Sequence, residues 1–201
     1  NFMTGLYFEH ADRHWFGAPD ISHVFNPAVQ SYITNFQETD SNNDNYSAFA
    51  QLRWKILPTL ELSGGARYSE DKKKTTYVNL YNNQVSALGR TLYPQGVPLN
   101  VQYKDNNVSP EVTLTWKPED NQTIYAAYKN GYKTGGMANP VILAATATSR
   151  SLSFGAEEAE GFEVGYKADL FDRRLRVDVV GYRYNYDGLQ VTSFDPVLLR
   201  S

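Results

Sequence analysis

Hydrophobic and polar positions alternate along most of this chain with a period of two. From Phe162 to Leu170, the residues Phe162, Val164, Tyr166, Ala168 and Leu170 fall on one side. Glu163, Lys167 and Asp169 fall on the other, with Gly165 between them. Successive side chains of a strand point to opposite faces, so this run is a strand with one apolar and one polar face. A polar turn, Asp172-Arg173-Arg174, joins it to a second run from Leu175 to Gln190. The pattern recurs upstream. Phe2 to Glu9 aligns Phe2, Leu6 and Phe8. Tyr46 to Ile56 sets Tyr46, Ala48, Ala50, Leu52, Trp54 and Ile56 against Gln51, Arg53 and Lys55, with Phe49 as an exception. After Leu57-Pro58-Thr59, Leu60, Leu62, Gly64, Ala66 and Tyr68 alternate with Glu61, Ser63, Gly65, Arg67 and Ser69, in a strand predicted to run on to about Val78. Asn107 to Lys117 and Thr123 to Tyr132 form a further pair across a tight turn at Pro118 to Asn121. No helical period of 3.6 stands out, and one helical turn or two is expected at Ala138 to Ala147.

The connections alternate between long and short. Ala11 to Asp40, Asn79 to Tyr103 and Lys133 to Ala156 are long, and the three turns between them are short. Structureless connections of this length are uncommon in compact soluble domains. An outer-membrane barrel has short periplasmic turns and long extracellular loops by construction. Trp54, Trp116 and Phe171 lie beside the short turns, where one aromatic girdle belongs. Tyr68, Tyr128 and Tyr182 lie about ten residues further along, at the height of the other. The expected fold is all-β: an antiparallel transmembrane β-barrel segment of about seven strands. A complete single-chain barrel closes on an even number, so such a segment reads as part of a larger one.

Composition changes this picture little. A mean hydropathy of −0.51 over 201 residues looks soluble. In a barrel, however, only alternate residues of each strand meet lipid, and the average hides them. No apolar run reaches the roughly 18 residues of a transmembrane helix. The 15 tyrosines suit surfaces that are apolar at one end and wet at the other. A net charge of −3 gives no electrostatic footprint for nucleic acid, which is not an expected partner. The chain has no cysteine, which excludes disulfide staples and thiolate metal sites.

If the apolar faces meet lipid, Arg53, Arg67, Glu111, Lys129, Glu163 and Lys167 point into the lumen, together with Lys55, Glu61, Lys117 and Asp169. The long connections are then extracellular, with Trp15, Phe16, Tyr81 and Tyr93 as the expected ligand contacts. His10, His14 and His23 share the first connection with Asp12 and Asp20, at a spacing that fits no compact metal site. An ordinary exposed loop is expected there, with no metal. Asp40 to Asp44 opens like a calcium loop. It has Asn45 where that loop needs glycine and Gln51 where it needs a bidentate glutamate. Lys72-Lys73-Lys74 is either a contact to lipopolysaccharide phosphates above the lipid rim or a solvated charge run. Gly135-Gly136 lacks the strand-to-helix setting of a phosphate loop. Glu157, Glu158 and Glu160 have no nucleophile or histidine beside them. No catalytic residue and no cofactor is expected.

Tyr46-Ser-Ala-Phe-Ala-Gln-Leu-Arg-Trp54 and Leu62-Ser-Gly-Gly-Ala-Arg-Tyr-Ser-Glu-Asp71 together resemble a strand pair of TonB-dependent outer-membrane receptors. Ser109-Pro-Glu-Val-Thr-Leu-Thr-Trp116, Ile124 to Gly136, Glu158 to Lys167 and Gly181 to Gln190 resemble later strands of that barrel, in order, over about two-thirds of the chain. The resemblance implies a barrel of about 22 strands filled by an N-terminal plug. It implies uptake of a scarce solute, such as a ferric siderophore, cobalamin or an oligosaccharide, across the outer membrane of a Gram-negative bacterium. It also implies three partners: the TonB complex through the plug, outer-membrane lipid and lipopolysaccharide, and a small-molecule ligand that the sequence does not identify. Residues 1–201 are then expected to be barrel only. The plug, the TonB box and the aromatic-ended terminal strand would lie outside them, since Val197 to Ser201 is not such an end. Two other readings stay open on pattern alone: a passive porin-type barrel and a soluble extracellular β-sandwich binding module.

Overall fold

The computed structural model describes residues 1–191, so Val197 to Ser201 lie outside the described residues. In chain order the elements are β1 (Phe2–Gly17), β2 (Asn35–Leu57), β3 (Leu60–Asn82), a 3₁₀ turn (Gly89–Thr91), β4 (Leu99–Trp116), β5 (Gln122–Lys133) and β6 (Gly136–Met137). They continue with α1 (Ser149–Leu152), β7 (Ser153–Phe154), β8 (Glu157–Leu170) and β9 (Leu175–Asp187). One antiparallel sheet of seven strands runs in the order β1-β2-β3-β4-β5-β8-β9, so each long strand pairs with its neighbours in sequence. The sheet is open among the described residues, with β1 and β9 at its edges.

The ladder registers align the apolar residues of all seven strands on one face. Leu52 is paired with Phe2 and Gly64, Leu114 with Leu62 and Ala126, and Tyr128 with Val112 and Phe162. Tyr166 is paired with Ile124 and Val179. No protein covers this face among the described residues. Leu6 is 86% exposed, Leu52 58%, Phe162 66% and Val179 60%. A continuous bare stripe of that size is not a soluble surface. It is what an outer-membrane barrel turns towards lipid. The β-sandwich reading required a second layer here, and the described residues supply none.

The strands run further than hydrophobic periodicity predicts. β2 and β3 have 23 residues each, whereas a tilted strand crosses the hydrocarbon in about 9–11. Their upper halves therefore stand outside it. The expected connection Ala11 to Asp40 shrinks to residues 18–34, and Asn79 to Tyr103 shrinks to 83–98. Asp40 to Asp44, His10 and His14 accordingly lie within strands rather than in a loop. The polar stretch shows no alternation because neither of its faces meets lipid. Cross-strand pairing, unbroken from Phe2↔Leu52 to Gly17↔Gln37, holds it extended instead.

The third connection, residues 134–156, is long as expected, but Ala138 to Ala147 is not helical. Pro140 disfavours helical backbone at Asn139, and the helical turn forms later at Ser149–Leu152. There Thr148 and Ser151 cap each other reciprocally. This connection folds back onto the charged face of the sheet. Leu143 and Leu152 pack with Tyr77 and Val101, which makes a small core of loop on sheet. β9 ends at Asp187, before Gly188, whose φ is +63°. Its register also moves one girdle residue: Tyr182 pairs with Glu163 and stands on the charged face, unlike Tyr68 and Tyr128. On that face two glycines accommodate aromatic rings of the neighbouring strand. A Cβ on Gly5 would lie 2.4 Å from the Phe49 ring, and one on Gly165 would lie 2.2 Å from the Tyr125 ring. This explains why Phe49 interrupts the polar face without disturbing the sheet.

The face assignment makes a direct prediction for the full-length protein. Leu52→Arg and Leu114→Arg each place a charge on the lipid side, at a cost of about 2–4 kcal/mol near the midplane. Both should lose the heat-modifiable folded band from the outer-membrane fraction. Arg53→Ala, one position along and on the opposite face, should keep it. Equal assembly of all three variants would contradict the assignment.

Candidate functional site

Above the apolar band, the charged face of β1, β2 and β3 and the folded-back connection enclose a cleft of about 960 Å³. Glu9, Arg13 and Trp15 enter it from β1, Asp71 and Lys73 from β3, and Phe154 from the connection. Alternation puts them together, because odd-numbered positions of β1 and β3 share one face in this register. The connection is pinned at its start. Lys73 Nζ donates to the Gly135 carbonyl at 2.6 Å, and the Gly135 amide donates to the Tyr103 hydroxyl at 3.2 Å. Tyr103 and Tyr132 both donate to Asp105, at 2.8 and 2.9 Å. Gly135 must be glycine here, since a Cβ would come within 2.4 Å of the Tyr103 oxygen.

Burial tunes these groups. It lowers the Lys73 pKa below its ordinary value; neighbouring Asp71 opposes the shift and the charge of Arg13 adds to it. Arg13 and Lys73 are thus two cations close enough to feel each other across the cleft. Burial raises Tyr77 to about 12, and burial followed by the hydrogen bond to Asp105 raises Tyr103 to about 12. Burial would raise Asp105, but the bonds from Tyr103, Tyr132 and the Asn106 amide outweigh it and hold the carboxyl below its usual value. The cleft therefore presents fixed donors and charges rather than a nucleophile.

The four aromatics expected to touch ligand separate. Trp15 lines the cleft. Phe16 points to the opposite face, stacked on Phe36 with ring centroids 5.7 Å apart. Tyr81 pairs with Phe36 and accepts a hydrogen bond from Asn26. Tyr93 packs against the loop core. Arg53, Arg67, Glu111, Lys129, Glu163 and Lys167 share the charged face below the cleft. There they form a polar ladder that includes Lys129–Glu163 at 2.8 Å, Lys167–Asp178 at 3.1 Å and Gln51 to Glu111 at 3.1 Å. The sequence singles out neither Arg13 nor Asp71, and the pattern there groups Lys73 with Lys72 and Lys74 and gives Gly135 no place in a cleft. The signal for Lys73 was its odd position within the run 72–74.

On the outer face of β1 and β2, His10 contacts Asp44 and Asp12, and His14 contacts Asp40 and Glu38. The ligand atoms of His14, Glu38 and Asp40 lie within 4.8 Å of one another, a donor set that could hold a divalent ion. As arranged, each imidazole bridges carboxylates in the manner of an imidazolium. His23 stands apart beside Asp20.

Comparison with known proteins decides the family. The family model described as TonB dependent receptor-like, beta-barrel, matches residues 2–200. The chain belongs to that family. TonB-dependent receptors lie in the outer membrane of Gram-negative bacteria, and so does this one. The chain is 23% identical over 156 residues to the pesticin receptor of Yersinia enterocolitica, covering 78% of this chain and 21% of that protein. It is 25% identical over 133 residues to the pesticin receptor of Yersinia pestis, covering 66% and 18%. It thus spans about a fifth of the length of these relatives. Its fold matches the ferric yersiniabactin uptake receptor FyuA from Yersinia pestis with a TM-score of 0.71 at 19% identity, over 94% of this chain and 26% of that one. It matches the siderophore receptor PiuA from Acinetobacter baumannii at 0.58 and 18%, over 90% and 28%. Each of these relatives is named as a receptor.

The histidine pairs predict a pH dependence outside the membrane. The pKa of His10 is raised by its hydrogen bond to Asp44 first and Asp12 next, and that of His14 by its bond to Asp40. A folded pKa above the unfolded value gives a stabilisation that is complete below about pH 6.5 and lost as pH rises through the folded value. Amide protection factors in the upper β1–β2 ladder should therefore fall as the pH rises above about 6.5. A His10→Gln, His14→Gln double variant should lose that dependence. Identical profiles for parent and variant would refute the linkage.

Proposed function

We propose that this chain forms one sector of the barrel of an outer-membrane transport receptor that takes up a ferric siderophore-type ligand with energy from the TonB complex. The plug would be contributed from outside residues 1–201. The observation that carries the reading is the cleft between Trp15, Arg13 and Lys73 under the connection 134–156. Its volume of about 960 Å³ suits a small-molecule ligand, and an indole set between the cations Arg13 and Lys73 and the carboxylates Glu9 and Asp71 suits a flat-faced ligand with polar groups of both signs. The relatives support the same class: one similar fold is a ferric yersiniabactin uptake receptor and another a siderophore receptor. In this reading Arg53, Arg67, Glu111, Lys129, Glu163 and Lys167 face the barrel interior. The ladder that they form is the wet wall against which a plug packs. Of the four aromatics expected at the ligand, Trp15 is the one retained.

The test is binding and uptake of a panel of ferric siderophores by the full-length receptor. Trp15→Ala and Arg13→Ala should each weaken binding of the accepted complex by about tenfold or more, the loss typical of a central aromatic or arginine contact. Phe16→Ala, on the opposite face, should leave binding unchanged. Uptake should cease when TonB is deleted. Unaltered binding by both cleft variants would remove the cleft from the function, and uptake that persists without TonB would mark a passive porin instead.

A further inference from the structure

β4 and β5 pair over six rungs, from Trp116↔Ile124 to Glu111↔Lys129, and then part. The next residue up β4 is Pro110, which has no amide to continue the ladder. Above the parting, Tyr103 of β4 and Tyr132 of β5 both donate to the same oxygen, Asp105 Oδ2, at 2.8 and 2.9 Å. Tyr132 continues the β5 series of Ala126 and Tyr128, which lies on the apolar face. It reaches Asp105, in the inward series of β4, because the two strands have separated. We propose that Tyr103, Asp105 and Tyr132 form a binding site for a small trivalent cation that prefers oxygen ligands, namely ferric iron, beside the cleft. The choice of iron among such ions rests on the function proposed above.

Distance is the first argument. A small octahedral ion with metal–oxygen bonds of about 2.0–2.1 Å sets neighbouring ligand oxygens about 2.9 Å apart. The two phenol oxygens stand 2.8 and 2.9 Å from Asp105 Oδ2, so three donors already trace two edges of such a site. Calcium, with bonds of about 2.3–2.6 Å, needs oxygens roughly 3.4 Å apart. The donors are also held from behind. Asp105 Oδ1 accepts the Asn106 amide at 2.8 Å, and the Tyr103 oxygen accepts the Gly135 amide at 3.2 Å. Partners of this kind fix the direction in which ligand atoms point.

Charge is the second. Burial raises both phenols and keeps them protonated at neutral pH. When the ion binds, each phenol gives its proton to solvent and its oxygen becomes an anionic ligand. With the Asp105 carboxylate that makes three negative charges, which a trivalent ion cancels. A divalent ion leaves one charge uncompensated in a half-buried site, which is unfavourable. Asp71 stands directly opposite Asp105 on β3 and lines the cleft. Like charges directly opposite on neighbouring strands destabilise a sheet, and a cation at Asp105 relieves that repulsion. Lys73 is otherwise engaged: its ammonium donates to the Gly135 carbonyl at 2.6 Å and stands 6.0 Å from the centre of the Tyr103 ring. The site thus adjoins the cleft wall and accepts iron whose carrier leaves coordination positions free.

The experiment titrates the untagged full-length receptor, purified from outer membranes, with ferric nitrilotriacetate, a chelate that leaves coordination positions open. Wild type should develop a visible phenolate-to-iron charge-transfer absorption. The variant Tyr103→Phe, Tyr132→Phe should lose that absorption and bind iron about a hundredfold more weakly, while its heat-modifiable folded form persists. Asp105→Asn should weaken binding about tenfold or more. Tyr182→Phe, elsewhere on the charged face, should change neither absorption nor affinity. Equal absorption in the double variant overturns the proposal, as does its absence from folded wild type. Displacement of iron by calcium or magnesium at equal concentration overturns it as well, since the site would then be a general one for cations. Failure of the proposed function shows separately, as wild type that binds iron with the absorption but takes up no ferric complex in cells. Uptake without the absorption leaves that function standing and removes this site.

Discussion

Leu52, Val112, Phe162 and Val179 stand on a sheet face that no part of the described protein covers, and the hydrocarbon of the bilayer is the medium that removes them from water. Most other features follow from that placement. With no water in the hydrocarbon, every backbone amide and carbonyl needs a partner within the sheet, which the continuous antiparallel ladders on both sides provide for β2 and β3. The charged set from Arg53 to Lys167 is forced to the other face, where it can pair through Lys129–Glu163 and Lys167–Asp178. The turns at one end can be short because nothing is built there. That between β8 and β9 is tight enough to hold Phe171, Asp172 and Arg173 all at positive φ.

Above the band the same strands change purpose. Their apolar-side positions become His10, Asp44, Lys72 and Lys104, a charged row. Their inner positions become the wall of a cleft. Here the buried core belongs to loop and sheet together: Tyr77, Val101, Leu143 and Leu152, with Tyr77 donating to the Ala138 carbonyl at 2.5 Å. The connection 134–156 is therefore a structured cover, held at its root by Lys73 and Tyr103, and the cleft depends on that hold.

The sequence revealed the membrane-spanning halves well and the extracellular halves poorly, for one reason. Alternation is written only where one face meets hydrocarbon. From Tyr46 to Tyr68 it is clear, and the strand ends near the short turns agree with the structure to within a residue or two. From Asn35 to Asn45 both faces are polar, and β2 there looks like loop until its partners in β1 and β3 are known. The same blindness put Trp15 and Phe16 in one loop as joint ligand contacts, when one-residue alternation sends them to opposite faces. It grouped Lys73 with Lys72 and Lys74. In β9, Val179 and Val180 are both apolar, so the sequence alone does not fix its register, and Tyr182 was assigned to the wrong face.

The lipid-facing assignment is tested most directly by spin labels placed one at a time at positions 104–116 of β4 in the full-length receptor in outer-membrane lipid. Accessibility to oxygen, which concentrates in hydrocarbon, is compared with accessibility to a water-soluble nickel chelate. The account predicts a period of two, with high oxygen access at 108, 110, 112, 114 and 116 and low access at the odd positions. Nickel should overtake oxygen on the even face once Lys104 is reached. An accessibility profile without that period, or with the odd positions facing lipid, would contradict it.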